Sequence, residues 1–266
     1  MICITIDQKK IFFEVLGNLE AKTTIVFLNG LSQTTQSWGL MTPHLLDARI
    51  VVLDFIFQGR SDHTSDVRSF DTHASDVLCV LESLHCEDAI LVGLSYGSLV
   101  AQHFAYNYPD KLSKMVLLST FAHKTPYYES IETAWSRSLE IGGYSLMFDV
   151  MMPFVLSDNY FSHPLIPIEV MKNMRQELMD VGALKKLMQA TAQRKDFRNE
   201  LRSVNTETLV IQGEKDVLFP VYLAEEVVSS LQNGRLIVLK GLGHTLNLEG
   251  VTIVSEEIRN FVGLAN

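Results

Sequence analysis

Apolar residues along the chain fall into two kinds of run. The first is short and nearly unbroken: TTIVFLNG at 23–30, RIVVLDF at 49–55, AILVG at 89–93, KMVLLST at 114–120, ETLVIQG at 207–213 and RLIVLKG at 235–241. A strand that is apolar on both faces is buried on both, as in a parallel sheet covered by helices. MICITI and IFFEVLG flank the polar DQKK and read as an opening β-hairpin. The second kind of run repeats every three or four residues. Residues 69–85 set Val77, Leu81 and Leu84 on one stripe, PVYLAEEVVSSL follows the strand at 207, and VTIVSEEIRNFVGL ends the chain. Strand alternating with helix predicts an α/β fold, a mostly parallel central sheet with helices on both faces.

Residues 121–200 break this alternation. They hold helical patterns, aromatics and many methionines but no convincing buried strand. An insertion here leaves from the carboxyl end of the strand near Ser119, the edge where open α/β sheets bind ligands. The expected organisation is therefore a core from 1–120, a helical cap from 121–200 and the rest of the core from 201–266. A longer crossover that merely extends the core is the plainer alternative, but the insertion is long for one. Tyr144, Leu146, Met147, Phe148, Met151, Met152, Phe154 and Val155 would give the cap an adaptable apolar surface, shared between packing and pocket lining. The substrate expected beneath it is a lipophilic small molecule.

Composition narrows the function. The 266 residues are 47% hydrophobic and 20% charged, within the range of globular domains. The formal net charge of −9, with no cluster of Lys or Arg, argues against nucleic acid as a partner. An acidic carrier protein would also be repelled at long range unless basic side chains gather at the site. Three cysteines without metal or redox spacing read as free thiols in a reducing compartment. No apolar run reaches a membrane span and the opening residues lack a signal-peptide core, so the expectation is a cytoplasmic protein. The histidines show no metal-ligand spacing and there is no phosphate or dinucleotide loop, so neither metal nor cofactor is expected.

The chemistry is written in ILVGLSYG, residues 90–97. A strand enters Gly-x-Ser-x-Gly and a helix leaves it, stopping before Pro109; glycines at 93 and 97 permit a sharp turn that exposes Ser95. A serine at its ordinary pKa needs a base, and the base needs an orienting acid. After an elbow of this kind the order is serine, acid, histidine. Asp216, in the turn QGEKDVLFP after a strand, and His244, in the glycine-flanked loop KGLGHTLNLEG, satisfy it. Glu214 is the nearest rival acid, and turn capping is the plainer role for Asp216. The backbone N–H groups of Tyr96 and Leu31 are the candidate oxyanion donors, with Gly30 opening the turn and Asn29 bracing it. Gly59 should shape its own turn, Arg60 and Asp62 form a candidate local ion pair, and His103 reads as a helix histidine below the site.

NGLSQTTQSW at 29–38, DFIFQGRSD at 54–62, GLSYG at 93–97, GEKDVLFP at 213–220 and GLGHTLNLE at 241–249 together resemble the α/β-hydrolase superfamily over essentially the whole chain. The resemblance implies the α/β-hydrolase fold, with Ser95 as nucleophile, Asp216 as acid and His244 as base under the cap. Its capped members include esterases, enol-lactonases, carbon–carbon bond hydrolases and peroxidases; haloalkane dehalogenases look to aspartate where this chain has Ser95. Asn29-Gly30, DFIFQG and HTLNLE are also similar to the hydroxyacyl carrier-protein transacylases that make rhamnolipid and polyhydroxyalkanoate precursors. Three functions follow as expectations. The first is a serine hydrolase of carboxylic esters, lactones or thioesters. The second is a 3-hydroxyacyl transferase using an acyl carrier protein or CoA thioester, and the third a non-catalytic receptor for a small molecule.

Overall fold

The computed structural model describes residues 1–64, 66–176 and 180–264, without the Gln176 side chain. Eight strands make one sheet: β1 (Ile2–Ile4), β2 (Lys10–Gly17), β3 (Thr24–Leu28), β4 (Arg49–Leu53), β5 (Ala89–Leu94), β6 (Leu112–Leu118), β7 (Glu207–Gly213) and β8 (Gly234–Leu239), in the order β1-β2-β4-β3-β5-β6-β7-β8. β1 and β2 form the expected hairpin, with Ile2 opposite Phe12, and β2 lies antiparallel to β4. All later pairings are parallel. Parallel neighbours require crossovers, and α1 (Phe70–Ser83), α2 (Tyr96–Asn107) and α8 (Val221–Ser230) supply three of them.

The unbroken apolar runs feed two cores. Val26, Leu28, Val51 and Leu53 point to one face, with Val77, Leu81, Val100 and Phe104 of α1 and α2. Ile25, Phe27, Ile50 and Val52 point to the other, with Trp38, Met41 and residues Val254, Ile258 and Phe261 of the helix Val251–Val262. Alternation along a strand thus buries every residue of β3. β8 departs from this pattern: as the edge strand it leaves Val238 40% exposed, so its apolar run is not covered on both faces. The expected stripe on α1 is in place, with Val77, Leu81 and Leu84 buried, and the Ser69 side chain caps the helix by accepting from Thr72 N.

Several apolar runs outlast their strands. β3, β4 and β6 end at Leu28, Leu53 and Leu118, and the next residues, Asn29, Asp54, Phe55, Ser119 and Thr120, are buried loop positions at the carboxyl edge. The insertion between β6 and β7 covers that edge. It carries α3 (Pro126–Val155), α4 (Asp158–Ser162), α5 (Ile168–Gln176), α6 (Val181–Gln193) and α7 (Arg198–Leu201). Residues 177–179 of the expected cap, and 265 and 266 of the expected core, lie outside the described residues. α3 is two helices joined at Gly142–Gly143, where Gly143 has φ +63; a Cβ there would meet nothing, so it is the left-handed backbone that asks for glycine.

Candidate active site

Ser95 sits between β5 and α2 with φ 52 and ψ −113, in the region costly for a side-chain-bearing residue. Close packing holds it there. A Cβ on Gly93 would lie 2.4 Å from Gly97 O, and one on Gly97 would lie 2.1 Å from Leu28 O, so both glycines are required for the elbow to approach its neighbours. Ser95 N donates to Leu118 O at 2.9 Å, and Ser95 O accepts from Ser98 N at 2.9 Å.

Asp216 and His244 arrive from the loops after β7 and β8. His244 Nδ1 is 2.8 Å from Asp216 Oδ2, and both side chains are buried. The carboxylate is held further by Gln212 Nε2, which donates to Oδ2 at 2.7 Å, and by Phe219 N, which donates to Oδ1 at 2.8 Å. With its oxygens fixed this way, Asp216 holds the imidazole in one orientation. Glu214 lies elsewhere, its Oε2 accepting from Gly241 N. The histidine loop is tied on two sides. Ser119 Oγ donates to His244 O at 2.7 Å, and Thr245 N and Oγ1 donate to Val155 O of the cap. Glu249 Oε2 accepts from Gly243 N and Ser157 N, joining loop and cap again.

The loop after β3 is braced as expected of Asn29, through partners that sequence reasoning missed. Asn29 Nδ2 donates to Leu53 O and Gln58 Oε1, and its Oδ1 accepts from Trp38 Nε1. Gln58 Nε2 donates in turn to Gly30 O at 2.9 Å, while Gly30 N donates to Gln33 Oε1. Gly59 has φ +48, and a Cβ there would meet the Asp54 carboxylate at 2.2 Å. Burial pushes the Asp54 carboxyl up from its ordinary value, and it accepts from Thr35 N and Arg60 N. The expected Arg60–Asp62 pair does not form: Arg60 Nη2 reaches Glu14 Oε1 at 2.7 Å over the Phe12 ring, and Asp62 instead accepts from Lys10 N. Glu14 lies on the neighbouring strand, closer in space than sequence distance suggests.

Ser95, His244, Leu31 and Tyr96 line one cavity of about 70 Å³. The cap supplies Trp135, Phe148, Met151, Met152 and Val155, and Arg175 at the rim donates to Ser32 O. Of the eight cap residues singled out, Phe148, Met151, Met152 and Val155 reach the cavity; Tyr144 and Met147 are core packing, Leu146 is exposed and Phe154 packs on Trp135. A second His–Asp pair, His103 with Asp71 at 2.8 Å, lies outside this cavity. His103 stacks on Phe197 and burial, with the nearby Arg194, pulls it down to about 4. The Ser98 hydroxyl is engaged with Ser95 O and Thr120 Oγ1. Among the described residues no cluster of three His, Cys, Asp or Glu could hold a metal ion.

Comparisons with known proteins agree with this architecture. A family model described as "alpha/beta hydrolase fold" matches residues 23–139, and one described as "TAP-like protein" matches 187–264. The chain is 23% identical to the 2-hydroxymuconate semialdehyde hydrolase of Pseudomonas sp. (strain CF600), over 86% of this chain and 82% of that one. Its structure is similar to that of MGS-M2, an α/β-hydrolase enzyme from a Medee basin deep-sea metagenome library, with a TM-score of 0.91 at 24% identity over 100% and 98% of the two chains. A thermophilic esterase from Thermogutta terrifontis gives a TM-score of 0.88 at 22% identity, covering 99% and 97%. The chain has the α/β-hydrolase fold, with a helical cap inserted between β6 and β7.

Proposed function

We propose that this protein is a serine hydrolase that cleaves a carboxylic ester, lactone or thioester through an acyl-serine intermediate, with Ser95 as nucleophile, His244 as base and Asp216 as its orienting acid. The observation that carries the reading is the buried His244–Asp216 bond of 2.8 Å beside the strained Ser95 in one capped cavity. With Nδ1 committed to Asp216, Nε2 is the imidazole nitrogen that serves Ser95. It takes the hydroxyl proton as Oγ attacks the carbonyl, then returns it to the leaving group. A water, deprotonated by the same nitrogen, then attacks the acyl carbon, and the proton passes on to Ser95 Oγ as the Oγ–acyl bond breaks and the acid leaves. The N–H groups of Leu31 and Tyr96 hold the negative oxygen in each tetrahedral state, and the helix starting at Tyr96 adds a positive field.

The substrate is small and lipophilic in its acyl part, as the aromatic and methionine walls require, while Arg175 gives the rim one cation. We take 1–120 and 201–266 as the core and 121–200 as the cap. The three cysteines, all free, suit a reducing compartment such as the cytoplasm. Transfer from an acyl carrier protein or CoA thioester to a 3-hydroxyacyl acceptor would use the same three residues and differ in the acceptor alone. Hydrolysis is favoured because the relative and the esterase similar to this chain are named for it. The test is a panel of p-nitrophenyl esters, lactones and 3-hydroxyacyl thioesters with products identified. Free acid from esters or lactones is expected. New ester bonds from the thioesters alone would replace hydrolysis with transfer, and no turnover of any member would count against the enzyme.

A further inference from the structure

Arg194 is a buried cation at the carboxyl end of α6, and the hydrolytic chemistry leaves it without a role. Its guanidinium lies among the rings of Phe70, Phe121 and Phe197, and among the described residues no carboxylate lies within ion-pair distance. Nη1 donates to Ala122 O at 2.9 Å and Nη2 to Gln102 Oε1 at 2.8 Å, while among the described residues Nε has no hydrogen-bond partner. Burial pulls its pKa down to about 9, which leaves it charged at neutral pH. An unpaired cation in such a place is costly unless its donors set something in order.

What they set in order leads to the nucleophile. Arginine only donates, so Gln102 must present its oxygen to Arg194 and its NH2 to the other side. There Gln102 Nε2 donates to Thr120 Oγ1 at 2.8 Å and to Phe121 O at 3.1 Å. Thr120 Oγ1 is 2.8 Å from Ser98 Oγ, which is 2.6 Å from Ser95 O. Ser98 has one hydroxyl proton, and Ser95 O can only accept. Ser98 Oγ is the donor to both, so its proton is shared between Thr120 Oγ1 and Ser95 O. Ser95 C=O and Tyr96 N–H belong to one planar trans peptide and point in opposite directions. Fixing the carbonyl therefore aims the N–H proposed to stabilise the oxyanion.

We infer that Arg194 is a positioning residue: through Gln102, Thr120 and Ser98 it locks the Ser95–Tyr96 peptide plane and so aligns the oxyanion donor. The inference rests on the hydrolytic reading above. It is tested by a double-mutant cycle of Arg194→Met and Ser98→Ala, with Arg194→Lys as the conservative variant, on an ester the wild type hydrolyses. Each single variant should lower kcat about tenfold or more, with KM within about threefold, since the loss falls on the transition state. The double variant should be no slower than the slower single one, and Arg194→Lys, which can still donate to Gln102, should recover most of kcat. Losses that multiply, a kcat unchanged in Arg194→Met, or an effect confined to KM would overturn the inference. Should Arg194→Met fail to fold, Gln102→Leu takes its place in the cycle with the same two outcomes. Ser95→Ala, run beside it, reports on the hydrolytic reading separately: turnover that survives that change removes the reading and this inference with it.

Discussion

Asp216 shows how much of the site depends on single polar contacts. Its two oxygens accept from three donors, His244 Nδ1, Gln212 Nε2 and Phe219 N, in a region closed to water. Asp216→Asn keeps the shape but replaces one acceptor oxygen with an NH2, which faces a donor whichever way the amide turns. The imidazole then loses the partner that fixes its tautomer, and kcat should fall by roughly 10³–10⁴ with little change in KM. Steady-state kinetics on purified variant checks this, and a loss under tenfold would assign Asp216 a packing role instead. The places of Ser95, Asp216 and His244 in the loops after strands were readable because each follows an apolar strand and is marked by glycine or a turn. Gln58, Gln212 and Arg194 were not. Gln212 gave a faint signal, a polar residue ending an apolar strand, but Arg194 meets Gln102 across 92 positions and only the folded chain brings them together.

At the scale of elements, α1 carries a buried histidine. His73 is fully buried and packs against the rings of Phe55 and Tyr96; among the described residues neither ring nitrogen is hydrogen-bonded, and Asp76 Oδ2 lies 3.8 Å from Nδ1. Burial, together with the Arg68 charge, lowers it from the ordinary 6.5 to about 3. The folded chain therefore binds fewer protons here than the unfolded chain between about pH 6.5 and 3, so this group makes stability rise with pH across that window and fall as the solution is acidified. Replacing it with a side chain that does not titrate, His73→Met, should flatten the decline in stability between pH 6.5 and 4 by up to one proton's worth, about 1.4 kcal/mol per pH unit. Urea titrations of both proteins across that range would show it. Parallel declines would mean that His73 is protonated in the folded state. The helix itself and its apolar stripe were legible from periodicity. The burial of His73 was not, because the sequence does not say which rings close over it.

Across the whole molecule, the order of strands and the position of the insertion do the functional work. Parallel β3, β5, β7 and β8 deliver Leu31, Ser95, Asp216 and His244 to one edge, and the cap closes over that edge. The alternation of strands and helices made this architecture readable from the sequence, as did the strandless stretch between β6 and β7. The division of labour inside the cap was less readable. A run of apolar residues such as 144–155 has the same composition whether it faces the core or the cavity, and the break at Gly142–Gly143 decides which side chains do which. The central claim is that acyl transfer passes through Ser95, and peptide-mapping mass spectrometry of protein quenched during turnover of a slow ester tests it most directly. The account predicts an acyl adduct on the peptide that contains Ser95, absent in Ser95→Ala together with turnover. An adduct on another residue, or turnover that persists in Ser95→Ala, would contradict it.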